Sequence, residues 1–216
     1  ENDTLLGGPD LDLLIGGKGS DRLSAGNGNG PNQLYGNAGD DLLQGGESKD
    51  RLEGGPGDDI LRAGPHPHKY WAYGRDVLRG GSGDDLIDGQ NGNACAIFVT
   101  SPVQVDLGNG RATGEGSDSV IGIRCVQTAG KDDVVVGTNK RDVITTGLGD
   151  DTVFARGGPD WVMDNTRSRS GGDDIFYGGR GDDSLSGMEG YDTLRGGSGF
   201  DGCSDGESTQ GCERVS

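Results

Sequence analysis

Aliphatic residues recur singly along this chain, flanked by polar ones and separated by glycine-rich stretches, with a period of nine. The pattern is clearest from Gly178 to Asp201. It runs Gly178-Gly179-Arg180-Gly181-Asp182-Asp183-Ser184-Leu185-Ser186, then Gly187-Met188-Glu189-Gly190-Tyr191-Asp192-Thr193-Leu194-Arg195, then Gly196-Gly197-Ser198-Gly199-Phe200-Asp201. Each unit is Gly-Gly-x-Gly-x-Asp-x-Leu-x. Its first six positions call for backbone angles that glycine reaches cheaply, which predicts a tight loop. Its last three alternate polar, aliphatic, polar and predict a short strand with the aliphatic turned inward. One unit alone buries nothing. Two units close one coil, and stacked coils set each loop against the loop two units away over a thin ladder of aliphatics.

The predicted inward residues are Leu5, Leu14, Leu23, Leu34, Leu43, Leu52, Leu61, Leu78 and Ile87 in one block. In a second they are Val120, Val135, Ile144, Val153, Val162, Phe176, Leu185, Leu194 and Cys203. Insertions at Ala25 to Tyr35, Ala63 to Arg79, Gly122 to Val136 and Asp164 to Tyr177 leave the phase intact afterwards, which a solenoid tolerates as loops at its edge.

Position six carries the chemistry. It holds Asp3, Asp12, Asp21, Asn32, Asp41, Asp50, Asp59, Asp76 and Asp85, then Asp118, Asp133, Asp142, Asp151, Asp160, Asp174, Asp183, Asp192 and Asp201. Stacked coils repeat these carboxylates about every 4.8 Å along an edge, where like charges repel. A hard divalent cation that takes six to eight oxygens reverses the repulsion, with glycine-loop carbonyls completing its shell. That points to calcium rather than octahedral magnesium. The register predicts one edge of Asp3, Asp21, Asp41, Asp59 and Asp85 and another of Asp12, Asn32, Asp50 and Asp76. For the second block it predicts Asp118, Asp142, Asp160, Asp183 and Asp201 on one edge and Asp133, Asp151, Asp174 and Asp192 on the other. Asn32 offers one neutral oxygen and should weaken its neighbours, and Ala94, at a sixth position, should hold no ion. The position-five acids, such as Asp58, Asp84 and Asp182, are expected to point outward.

This nonapeptide resembles the calcium-binding repeat of the RTX proteins, and the likeness covers most of the chain. It implies an all-β fold: a right-handed parallel β-roll, or β-solenoid, with calcium along both edges. The stretch from Val103 through Gly114-x-Gly116-x-Asp118 to Gly122-Ile123 is similar to a spacer joining roll segments in bacterial RTX-type proteins. The expected divisions are residues 1–93, a roll segment; 94–117, an irregular β spacer; and 118–216, a second roll segment with a disulfide-capped end.

Composition changes this picture little. With 46 glycines and 30% hydrophobic residues among 216, no wide globular core is available, and only the fixed period argues against disorder. A formal charge of −17 excludes ordinary nucleic-acid binding through phosphates. No apolar run of about 18 residues exists to span a membrane. There is no signal peptide, and because Asp3 and Leu5 already occupy positions six and eight, residue 1 reads as a processed or truncated end. Four cysteines predict two disulfides and an oxidising compartment. Many RTX proteins leave the cell whole and lack cysteine, so this chain departs from that pattern, and secretion by a signal-peptide route is expected. Cys203 and Cys212, nine apart and both at position eight by the count, would cap the last coil. Cys95 and Cys125 are the natural second pair, one of three connectivities.

The insertion Gly64 to Tyr73 is the aromatic-rich one. His66 and His68 make an incomplete metal site. Tyr70, Trp71 and Tyr73 either cover the roll or contact a glycan or protein partner. No Gly-x-Ser-x-Gly elbow, His-Glu-x-x-His or phosphate loop occurs, and no enzyme is expected. The sequence points to a secreted, extracellular or cell-surface calcium-binding structural protein whose copies stack head to tail into a filament through an open strand edge. The competing reading is a calcium-dependent adhesin that binds through the Tyr70 to Tyr73 loop.

Overall fold

The computed structural model describes residues 1–28, 30–65, 75–90, 94–100, 102–165 and 171–215. The loop carrying His66, His68, Tyr70, Trp71 and Tyr73 lies outside them. Among the described residues there is no helix, and so none that could cross a membrane. The chain forms two compact units: Glu1–Ile97 with Gly110–Ile123, and Phe98–Asn109 with Arg124–Ser216. These boundaries differ from the expected ones because the spacer is shared. The chain enters the second unit at Phe98, returns to the first at Gly110 and leaves it again at Arg124.

In the first unit, strands Thr4–Leu6, Arg22–Ser24, Leu42–Gln44, Ile60–Arg62, Leu86–Asp88 and Ser117–Ile121 pair in parallel. Their middle residues register as Leu5, Leu23, Leu43, Leu61, Ile87 and Val120. A second parallel row consists of Leu13–Lys18, Gln33–Ala38, Arg51–Pro56, Asp76–Ser82 and Ala94–Phe98, with Leu14, Leu34, Leu52, Leu78 and Ala96 in line. Arg111–Thr113 breaks the rule by pairing antiparallel with Ser117–Ile121. A short turn at Gly114 joins these two strands directly, and only an antiparallel pair can be closed so tightly.

The second unit repeats the arrangement. One row places Val105, Val135, Val153, Phe176, Leu194 and Thr209 in register, the other Val126, Ile144, Val162, Leu185, Cys203 and Val215. The core lies along the middle residues of these strands, where Leu43, Leu52, Leu61, Leu78, Ile144, Val153, Phe176 and Leu194 are all fully buried. The inward ladder is therefore one side chain thick in each row.

Val120 and Asp118, expected in the second roll segment, belong instead to the first unit, because their strand is the one that returns to pair with Leu86–Asp88. Cys212 is not at position eight. Val215 pairs with Cys203 there, because the last coil is shortened, yet the predicted Cys203–Cys212 disulfide forms with Cα atoms 5.9 Å apart. Cys95 and Cys125 are also oxidised, leaving no cysteine free.

So thin a core makes one large side chain expensive to lose. Phe176→Ala should cost about 3–5 kcal/mol of unfolding free energy, read from thermal melts in saturating calcium. Phe154→Ala should cost under about 1.5 kcal/mol, since Phe154 is 40% exposed and its ring stacks on that of Tyr177 with centroids 4.9 Å apart. Equal losses would contradict the burial pattern.

Candidate metal centre

The sixth-position residues are brought together as the register requires, and they are linked directly. Along each row, successive residues are joined by a backbone N–H donated to Oδ1 of the next rung. In the first unit Asp3 donates to Asp21, Asp21 to Asp41, Asp41 to Asp59, Asp59 to Asp85 and Asp85 to Asp118, at 2.6–3.1 Å. On the other edge Asp12 donates to Asn32, Asn32 to Asp50 and Asp50 to Asp76. That row ends where Ala94 stands opposite Asp76. In the second unit one row runs Val103, Asp133, Asp151, Asp174, Asp192, and the other Asp142, Asp160, Asp183, Asp201. Asp118 thus extends the edge of Asp85 and not that of Asp142.

Oδ1 is used by this ladder; Oδ2 is the chemically open atom. Among the described residues, ten aspartates leave Oδ2 buried with no hydrogen-bond partner: Asp21, Asp41, Asp59, Asp85, Asp151, Asp160, Asp174, Asp183, Asp192 and Asp201. The Thr146 hydroxyl and Gly147 amide approach Asp151 without bonding its Oδ2. Every one of the ten loops has glycine at position four. At Gly19, Gly57 and Gly181 its φ is +114°, +138° and +128°, a region that disfavours side chains. Where position four is Asp10, Ser48 or Lys140, the loop closes differently and the position-two amide caps the carboxylate instead. Gly8 donates to Asp12 Oδ2, Gly46 to Asp50 Oδ2 and Thr138 to Asp142 Oδ2, at 2.5–2.6 Å. Asn32 takes the Asp12 amide on its oxygen and spends its amide nitrogen on Asp50 Oδ1. Position four was the signal that separates these two kinds of rung, and the motif match alone overlooks it.

The open oxygens face main-chain carbonyls. A methyl group placed on Gly36 would lie closer than 3.0 Å to both Asp41 Oδ2 and the Gly54 carbonyl oxygen. On Gly54 it would meet Asp59 Oδ2 and the Gly80 carbonyl, and on Gly178 Asp183 Oδ2 and the Gly196 carbonyl. Position one is glycine there because the space beside it holds converging oxygens. Along one edge of the second unit this position is Thr128, Thr146 and Asp164, all fully buried, which adds side-chain oxygens that the nonapeptide pattern does not foretell. Among the described residues no three carboxylate, imidazole or thiolate groups converge on one point, so a cation must draw much of its shell from carbonyls. Such an all-oxygen, half-main-chain set fits calcium and does not fit zinc or copper.

Burial, more than neighbouring charge, raises the pKa of these carboxyls: Asp59 to about 7 and Asp160 and Asp174 to about 8, with nearby aspartates adding to the rise and the ladder amides opposing it. A group whose pKa is raised on folding favours the fold while protonated and loses that contribution as pH rises through the folded value. Metal-free protein should therefore be more structured near pH 5 than near pH 8. Far-ultraviolet circular dichroism of metal-stripped samples across that range checks it, and a rise of strand signal with pH would contradict it.

A parallel roll whose loops present stacked carboxylates and carbonyls is a calcium-binding solenoid. The family model of the RTX calcium-binding nonapeptide repeat matches residues 1–30, 28–61, 72–93, 128–162 and 169–202, well over half of the chain. The chain belongs to that family. No curated protein matches it.

Proposed function

We propose that this is a secreted structural protein that acquires its fold by binding calcium along the edges of its coils. The ten buried, unpartnered Oδ2 atoms carry the reading. Asp21, Asp41, Asp59 and Asp85 would hold ions in the first unit. Asp151, Asp160, Asp174, Asp183, Asp192 and Asp201 would hold them in the second, each ion shared between successive rungs and loop carbonyls. Asp12, Asn32, Asp50 and Asp142, whose second atoms are already hydrogen-bonded, would bind weakly or only after rearranging. Oxidation of all four cysteines supports an extracellular location.

Equilibrium dialysis of the full chain against calcium tests the reading. Saturable binding of several ions, not displaced by equimolar magnesium, is expected; absence of binding overturns it. Thiol titration of protein recovered from its source should find no free cysteine, and four reactive thiols would argue against secretion. A second role, binding a glycan or protein partner, is favoured by the outer face of the second unit. There Phe154 stacks on Tyr177 and Arg195 lies 5.4 Å from the Tyr177 ring. Loss of ligand retention by Tyr177→Ala on a glycan array would support it; a wild-type protein that retains nothing would remove it.

A further inference from the structure

Both carboxylate rows of the second unit continue past their last nonapeptide. Asp192 donates its N–H to Glu207 Oε2 at 2.7 Å, and Asp201 donates to Glu213 Oε2 at 2.5 Å. Neither glutamate belongs to a Gly-Gly-x-Gly-x-Asp sequence. They nevertheless take the place of position six: Ser208 and Thr209 pair with Thr193 and Leu194, and Arg214 and Val215 with Gly202 and Cys203. The separations are 15 and 12 residues, against 18 between Asp183 and Asp201, where no insertion intervenes. The coils are shortened by three and six residues, yet the glutamate carboxylates still reach the amides that aspartates cap elsewhere.

The oxygens around these glutamates are arranged for more than an amide cap. Asp192 and Asp201 are almost fully buried, and the Oδ2 of each lacks any partner. The position-one space also persists. A methyl on Gly196 would lie closer than 3.0 Å to both Asp201 Oδ2 and the Gly211 carbonyl oxygen, as one on Gly178 would to Asp183 Oδ2 and the Gly196 carbonyl. A neutral acceptor would satisfy the amides of Asp192 and Asp201 without setting a second negative charge beside each buried carboxylate. The Cys203–Cys212 disulfide holds the residue next to Glu213 against the residue two beyond Asp201, fixing a segment that has no glycine loop to place it.

We propose that Glu207 and Glu213 are cation ligands: one terminal calcium lies between Asp192 and Glu207, and another among Asp201, the Gly211 carbonyl and Glu213, the latter held in place by the Cys203–Cys212 disulfide. The proposal rests on the calcium reading above. Glu207→Gln and Glu213→Gln preserve an oxygen for the ladder amide and remove only charge.

Equilibrium dialysis of the full chain with calcium is the test, comparing wild type, each variant and the Cys203→Ser/Cys212→Ser pair. Each glutamine should remove one ion from the stoichiometry and leave the rest. The serine pair should weaken the ion at Glu213 without touching the one at Glu207, so its loss should not add to that of Glu213→Gln. Unchanged stoichiometry and affinity in every variant, against a wild type that binds several ions, overturns this proposal alone. A wild type that binds none overturns the calcium reading beneath it. Glu213→Asp, with the charge kept and the reach shortened, serves if a glutamine variant does not fold; wild-type binding by it would also count against the proposal.

Discussion

In excess chelator at neutral pH, the protein is expected to lose most of its strand signal in circular dichroism, and millimolar calcium should restore it. Leaving a buried polar group unpaired costs about 1–3 kcal/mol, and more if it is charged. Ten carboxylates here bury an oxygen without a partner. Their summed cost would exceed the roughly 5–15 kcal/mol by which domains are stable at all. The aliphatic ladder cannot offset it, since each coil buries only two such side chains and must fix glycine-rich loops that lose more backbone entropy than any other sequence. Ion binding would supply the difference, so that binding the metal and folding would be one event. A spectrum indifferent to chelator would show that the edges are stable without ions and would end the calcium-driven account.

A single methyl group at Gly54 should do nearly as much to the first unit. Gly54 has an ordinary φ, so alanine imposes no backbone strain there. The added Cβ would instead enter the space bounded by Asp59 Oδ2 and the Gly80 carbonyl. Gly54→Ala should lose about 3 kcal/mol or more, at the upper end of overpacking costs, because it displaces ligands as well as atoms. Gly8→Ala is the control: nothing lies within 4 Å of its added methyl and its φ is ordinary, so it should be neutral or stabilise by about 0.5 kcal/mol. Melts at saturating calcium separate the two. If both variants melt with wild type, the position-one space is not where the ion sits.

The period of nine made most of this legible before any coordinates. Residues 18 apart meet because two nine-residue units close a coil, so Leu43 over Leu61 and Asp41 beside Asp59 follow from counting. Counting carries across an insertion only if the chain resumes in the same stack. It therefore fails at Asp118, whose strand reaches back to Leu86–Asp88 after an excursion that the local sequence does not encode. It fails again at Cys212, where shortening shifts Val215 into the expected place. Glu207 and Glu213 were hidden because they reach a row without the motif that defines it. The division between open and capped carboxylates was hidden for the opposite reason. It lies inside the motif, in whether position four is glycine, as in Gly57, or lysine, as in Lys140.

The rows also have a direction. Every sixth-position amide in them goes to the acceptor nearer the C terminus, never to the one before it. Along these rows damage therefore travels one way. Removing the Asp59 side chain strips the Asp41 amide of its acceptor, while the Asp59 amide still finds Asp85 and the Asp85 amide still finds Asp118. The fifth-position acids lean the other way, Asp58 handing its amide back to Asp40 and Asp84 back to Asp58, so each coil is completed by its successor on one strip and by its predecessor on the next, like a zip with two opposed sets of teeth.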